Sequence, residues 1–294
     1  MSRPADAASH RGAQPLDPAV WAVLGAVASV QLGAAFAKHL FGVVPPTTMT
    51  WLRLASSALA LVALRPLLRR RTRPATGRRN WPVGLGYAAC LVGMNWSIYQ
   101  AFARIPLGVA VTLEFLGPLA VAVAGARRAR HLMWAALAAA GVVLLEWSPA
   151  RLDPWGVVFA LVAASCWAGY ILFGGRAGRS WPGLDVLTLA CVLGAVALAG
   201  PALIVGGAAT WRPVVLMTGL AVGLLSSVIP YGLELFALRS IAPRVFGILM
   251  SLEPVAAALA ALIVLGEHLG PIDVVAMGCI VVASIGAARG TRTA

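Results

Sequence analysis

Apolar runs of about twenty residues follow one another almost from end to end of this 294-residue chain, separated by short segments rich in Arg, Pro and Gly. About 20 mostly apolar residues is the length an α-helix needs to cross the hydrocarbon core of a bilayer. Hydrophobic residues make up 60% of the chain and charged ones 11%, too little polar surface to solvate a water-soluble domain of this size. The chain therefore reads as an all-α membrane protein.

The runs predict ten transmembrane helices. Five lie at Ala19 to Phe41, Thr47 to Leu68, Trp81 to Ala103, Pro106 to Ala126 and His131 to Trp147; five more at Trp155 to Gly175, Leu184 to Gly206, Pro213 to Leu238, Pro243 to Gly266 and Pro271 to Ala288. Residues 1–18 and 289–294 are then tails, flanking five-helix units at 19–147 and 148–288. The first eighteen residues are polar and carry Pro4, Pro15 and Pro18, without the apolar stretch of a cleavable signal, so the first helix is expected to stay in the mature protein.

A net charge of +13 raises the question of nucleic acid, but the placement of the charge answers it differently. With the N-terminus cytoplasmic, eighteen arginines fall on one side: Arg3, Arg11, seven from Arg65 to Arg79, Arg127, Arg128, Arg130, Arg176, Arg179, Arg239, Arg244, Arg289 and Arg292. Arg104, Arg151 and Arg212 fall on the other, while Lys38 and Arg53 lie inside helix ends. This asymmetry is the positive-inside signal and puts both termini in the cytoplasm. No basic run is interleaved with aromatics on a soluble segment, which argues against nucleic-acid binding. The arginine-rich segment is a solvated stretch near lipid headgroups. Cys90, Cys166, Cys191 and Cys279 are scattered over helices, with neither a disulfide framework nor a CxxC metal site, and read as helix-packing residues. No metal and no cofactor is expected.

The two halves look duplicated. Ala28, Ser29 and Gly33 match Ala164, Ser165 and Gly169, and Pro118 matches Pro254, all at an offset of 136; Gln100-Ala-Phe-Ala103 matches Glu234-Leu-Phe-Ala237 at 134. Five helices per half is an odd number, so the second half enters the membrane in the opposite sense. That is an inverted repeat, an architecture of many secondary transporters.

Two glutamates, Glu114 and Glu253, sit in the middle of corresponding apolar runs, with Pro118 and Pro254 close behind. A carboxylate at bilayer depth is costly and usually faces a cavity or pathway, and paired, Pro-interrupted hydrophobic segments point to a transporter's central site. The implied activity is movement of a small molecule across a membrane. Aligning the prolines leaves the two glutamates three residues apart in repeat coordinates, nearly one helical turn, so they project from similar faces.

The stretch Gly93-Met94-Asn95, Pro106-Leu107-Gly108, Leu113-Glu114-Phe115 and Gly117-Pro118-Leu119-Ala120-Val121-Ala122 resembles the threonine/homoserine exporter (RhtA-type) branch of the drug/metabolite transporter superfamily, with EamA-type repeats. Ala28-Ser29, Ala37-Lys38, Cys166-Trp167-Ala168, Tyr170-Ile171-Leu172 and Leu249-Met250-Ser251-Leu252-Glu253-Pro254 extend the resemblance over nearly the whole chain. It implies a ten-helix inner-membrane exporter of threonine, homoserine and related amino acids, coupled to the proton gradient. Tyr99-Gln100 and the arginine-rich loops are not diagnostic of that branch.

Amino-acid export makes sense of the polar inventory. A zwitterion needs acceptors for its ammonium and donors for its carboxylate. Glu114 and Glu253 are the first acceptors and Glu234 a third; the bland readings are helix-packing carboxyls, and for Glu234 a pair with Arg239 or Arg104. A carboxyl for which proton and substrate ammonium compete gives antiport without further machinery. Lys38, the only lysine, pairs with the substrate carboxylate or with Glu114, or else snorkels to the outer headgroups; Arg53 has the same choices, with snorkelling favoured. Asn95, Tyr99 and Gln100 form a polar stripe on the third helix. Trp96, Trp167, Tyr170 and Tyr231 wall a cavity or anchor at interfaces, and Ser29 and Gln31 add polar groups on the first helix, for the pathway or for interhelical hydrogen bonds.

An intramembrane enzyme is disfavoured, because His10, His39, His131 and His268 lie outside the helices or at their ends and no Asp sits mid-helix. A passive facilitator, a non-transporting scaffold, or a carrier of drugs, other metabolites or nucleotide-sugars on the same fold stay open. The expected partners are a small-molecule substrate, protons and the lipid bilayer, in a monomer or homodimer.

Overall fold

The computed structural model describes residues 18–69, 79–124, 129–145, 152–181, 184–237, 240 and 243–290. Most of the N-terminal tail, Arg70 to Arg78, Arg127, Arg128, Arg151, Arg239 and Arg292 lie outside the described residues.

Among the described residues every regular element is helical: α1 (Pro18–His39), α2 (Pro46–Arg69), α3 (Trp81–Phe102), α4 (Leu107–Glu114), α5 (Leu116–Ala124), α6 (Ala129–Leu145), α7 (Pro154–Ser180), α8 (Asp185–Gly206), α9 (Pro213–Gly223), α10 (Ile229–Ala237), α11 (Pro243–Met250), α12 (Glu253–Ala260) and α13 (Pro271–Gly290). Six of them start on proline, whose fixed φ suits the first helical position and whose missing N–H is an orphan there anyway. Asp153 and Asn80 cap α7 and α3, accepting from Trp155 N at 2.9 Å and Val83 N at 3.3 Å.

Among the described residues, six spans are long and apolar enough to cross a membrane: Pro18–His39, Pro46–Arg65, Pro154–Ala177, Asp185–Trp211, Pro213–Glu234 and Val245–Leu265. Leu107–Val121, Met133–Leu145 and Pro271–Gly286 are shorter apolar helices. α3 matches α1 in length but is not among the apolar spans, because Asn95, Ser97, Tyr99 and Gln100 crowd its second half.

Three apolar runs that read as continuous helices are interrupted, each next to a proline. Pro118 has no N–H for the Glu114 carbonyl, and the chain turns at Phe115, between α4 and α5. Pro254 likewise withholds a donor from Met250, and Ser251 and Leu252 form the turn between α11 and α12. Pro230 withholds one from Ser226, and Leu224–Val228 winds as a π-helix between α9 and α10. The breaks place Glu114 at the last residue of α4 and Glu253 at the first of α12.

α1 packs with α10, α2 with α8, α3 with α7, α4 with α12 and α6 with α13, and there are further contacts of α3 with α8, α5 with α7, α2 with α9, α1 with α12 and α4 with α7. Small residues let them approach, as expected where lipid supplies no hydrophobic drive between helices. A Cβ at Gly117 would overlap the Ala164 carbonyl of α7, and one at Gly33 would lie 2.6 Å from Ser226 Oγ. The cysteines join in: Cys90 Sγ fills the space over Gly169, and Cys166 Sγ that over Gly93, a crossed pair locking α3 to α7. Polar side chains also tie helices together, with Ser29 donating to Leu225 O (2.7 Å), Thr48 to Ala202 O (2.9 Å), Ser56 to Gly219 O (3.0 Å) and Ser57 bonded to Ser227 (2.7 Å).

Candidate functional site: a central acidic cavity

The helix breaks and the packing order converge on one cavity of about 250 Å³. Its wall takes Gln31 from α1, Arg53 from α2, Asn95 from α3, Glu114 from α4, Trp167 and Tyr170 from α7, Cys191 from α8, Ser226 and Ser227 from the π-helical segment, Glu234 from α10, Met250 from α11 and Glu253 from α12. Sites for drug-sized ligands run from about 300 to 1,000 Å³, so this volume suits a smaller solute.

Its chemistry is acidic. Glu114 and Glu253 are 8% and 7% exposed, and neither forms a hydrogen bond or ion pair among the described residues. Glu253 lies within electrostatic reach of Glu114 and Glu234, and Glu114 within reach of Arg53. Among the described residues, Arg53 is the only lysine or arginine in the wall. Its guanidinium lies 5.6 Å from the ring centre of Tyr99, which is fully buried behind the wall between Phe41 and Phe102. The Tyr99 hydroxyl lies beside Arg53 without a well-formed hydrogen bond. Asn95 donates to Leu91 O at 2.8 Å, and its carbonyl end is left to the cavity. Trp167 and Tyr170 are held by ring contacts with Phe115 (5.3 Å) and Tyr87 (4.7 Å).

Seven of the ten residues singled out from the sequence thus meet in one place: Glu114, Glu253, Glu234, Asn95, Gln31, Trp167 and Tyr170. Tyr99, Gln100 and Lys38 do not line it. Gln100 donates to Thr47 Oγ1 and accepts from Arg104 Nη1, both at 3.1 Å. Arg104 in turn approaches Asp153, while Glu234 faces the cavity. Lys38 pairs with Glu267 at 2.6 Å, instead of with Glu114, and donates to Ile105 O at 2.8 Å. Sequence reasoning gave no weight to Glu267, 229 positions away from Lys38, and no local pattern links the two. It also placed Arg53 at the headgroups in preference to the cavity. The available signal was its position two turns into a helix that carries Ser56 and Ser57 on the following turn.

A helical membrane protein whose broken helices enclose a cavity lined by unpaired carboxylates has the form of a membrane transporter. Residues 154–289 match the EamA-like transporter family. The chain is 40% identical over 274 residues to the threonine/homoserine exporter RhtA of Escherichia coli (strain K12), covering 92% of this chain and 91% of that protein. It is 40% identical over 268 residues to the threonine/homoserine exporter RhtA of Salmonella typhimurium (strain LT2), covering 90% and 89%. A protein known from its crystal structure superposes with a TM-score of 0.64, over 93% of this chain and 99% of that one, at 21% identity, so the fold is shared. The chain belongs to the EamA-like transporters of the drug/metabolite transporter superfamily, in the RhtA branch. It is a transporter, not an enzyme.

Proposed function

We propose that the protein exports small amino acids such as threonine and homoserine from the cytoplasm, by proton antiport through the carboxylates of the central cavity. The observation that carries this reading is the meeting of Glu114, Glu253 and Glu234 in a single small cavity without fixed partners. A carboxylate that is buried and unpaired is expensive to keep, and its use is to bind a proton or an ammonium in alternation. The names of the relatives supply the substrate class.

The architecture in this reading is two inverted five-helix repeats, residues 19–147 and 148–288, with tails at 1–18 and 289–294. α4 with α5 counts as one membrane helix, as do α9 with α10 and α11 with α12. The packing order supports it. Exchanging the halves turns the α1–α10 contact into the α7–α3 contact and leaves α2–α8, α4–α12 and α6–α13 unchanged. Both termini are then cytoplasmic and the chain sits in a bacterial inner membrane. Outward transport follows from rocking of the helices around the fixed cavity.

The test is uptake of labelled threonine and homoserine into inverted vesicles, with and without an imposed proton gradient, for the native protein and Glu114→Gln. Gradient-driven uptake that the substitution abolishes supports the reading. Equal uptake without a gradient and in Glu114→Gln makes the protein a facilitator, and no flux of either substrate sinks the substrate assignment.

A further inference from the structure

We propose that Arg53 is the anchor for the substrate carboxylate, so that a zwitterion lies across the cavity with its acid group toward α2 and its ammonium toward Glu253 and Glu234 on α12 and α10. This inference rests on the amino-acid reading above and adds the orientation of the substrate and the residue that selects for an intact carboxylate.

Three observations carry it. Arg53 lies within electrostatic reach of Glu114, and Glu114 and Glu234 lie within reach of Glu253, all four lining the same cavity. The wall thus carries one cation, on α2, and two acids on α10 and α12, of which Glu253 feels Glu114 and Glu234 and not Arg53, a pattern that suits a zwitterion. Secondly, Arg53 makes no ion pair within 4.0 Å among the described residues, whereas Lys38, Arg65, Arg79 and Arg104 each have a carboxylate within that distance. A guanidinium in a cavity wall with no carboxylate at ion-pair distance keeps its donor fork open, and that fork matches a carboxylate bidentately. Thirdly, the side chain is supported without using those donors up, because Tyr99, fully buried and packed on Phe102, lies under the guanidinium as a flat platform. Among the described residues no other lysine or arginine lines the cavity, so the remaining donors in its wall, those of Gln31, Asn95, Trp167, Tyr170, Ser226 and Ser227, are uncharged.

A counter-ion role for Arg53 toward Glu114 makes a different prediction, and the two are separable. As an anchor, Arg53 distinguishes substrates that carry a carboxylate from those that do not. As a counter-ion, it affects both alike.

The experiment is calorimetric titration of the purified full-length protein with threonine and with threoninol, in which a hydroxymethyl group replaces the carboxylate. The native protein is expected to prefer threonine by on the order of 100-fold, as for a lost charge-assisted pair in a buried site. Arg53→Gln is expected to weaken threonine to the level of threoninol while leaving threoninol within about threefold, which also shows that the variant is folded. Arg53→Lys, which keeps the charge but not the fork, is expected to retain roughly a tenth of the preference. Equal affinities in the native protein, or an undiminished preference in Arg53→Gln, overturn the anchor while leaving amino-acid export standing. So does equal weakening of both ligands that Glu114→Gln reverses in the double variant, since that is the counter-ion result. Failure of the native protein to bind either compound removes the amino-acid reading and the anchor together.

Discussion

Two sets of carboxylates in this molecule have opposite surroundings. Asp185, at the start of α8, is 8% exposed and bonded by Arg65 (3.2 and 3.1 Å) and Arg79 (3.0 Å), the second of which also stacks on Trp181. Glu267 takes Lys38 on one oxygen and Leu107 N on the other. Glu114 and Glu253 are buried to the same degree as Asp185 and have neither ion pair nor hydrogen bond. The paired acids each tie distant segments together at the ends of helices. The unpaired ones lie beside helix breaks and face the cavity. Equal burial with unequal pairing separates carboxylates that hold the fold from those to which transport is assigned in the function proposed above.

The strongest way to break this contrast is to remove the charge from the cavity. Glu114→Gln and Glu253→Gln are each expected to lower gradient-driven transport by on the order of 100-fold, with stability within about 1 kcal/mol of native, since no partner is orphaned. Transport assays paired with thermal unfolding in detergent check it. A variant that loses stability instead would put these glutamates with the structural acids.

Lys38→Met attacks the contrast from the other side. Both partners are largely buried, with side chains 16% and 23% exposed, so Glu267 is left buried with only the Leu107 amide. The expected cost is about 2–4 kcal/mol of stability, and Lys38→Met with Glu267→Leu should regain much of it. Failure of the double variant to recover would mean that the pair does more than hold α1, the α3–α4 turn and the segment before α13 together.

Asp185→Asn should cost less, about 1–2 kcal/mol, because Arg65 and Arg79 are 42% exposed and recover hydration when their partner is lost. Chemical denaturation of the variant, with transport as a second readout, gives the comparison. Transport by the folded fraction should be unchanged.

Much of the fold was legible because membrane helices announce themselves by apolar length, and the starts of α2, α7, α9, α11 and α13 were legible in their prolines. The interiors were less so. Pro118, Pro230 and Pro254 each withdraw one hydrogen bond, but the loss is met by a turn at Phe115, a π-helical winding at Leu224–Val228 and a turn at Ser251 and Leu252. Which of these occurs depends on packing, not on the local sequence. The acidic cluster was readable because a carboxylate in an apolar run is conspicuous. Arg53 and Glu267 were not, since an arginine near a helix end looks the same whether it reaches headgroups or a cavity, and the Lys38–Glu267 pair joins the two halves of the chain.

The smallest expected effect supplies the scale for the others. Ser57 and Ser227 share a 2.7 Å hydrogen bond between α2 and the π-helical segment, next to the cavity but with Ser57 outside its wall. Interhelical hydrogen bonds of this kind average about 0.6 kcal/mol in membrane proteins, so Ser57→Ala should lower stability by roughly that amount and change transport less than twofold. A neutral polar contact beside the cavity then behaves like an ordinary packing contact, and the large transport losses expected of the glutamates belong to their charge and not to their address. A Ser57→Ala variant that loses transport as Glu114→Gln does would instead show that any disturbance of the π-helical segment stops the cycle, and the division between paired and unpaired acids would have to be redrawn around that segment.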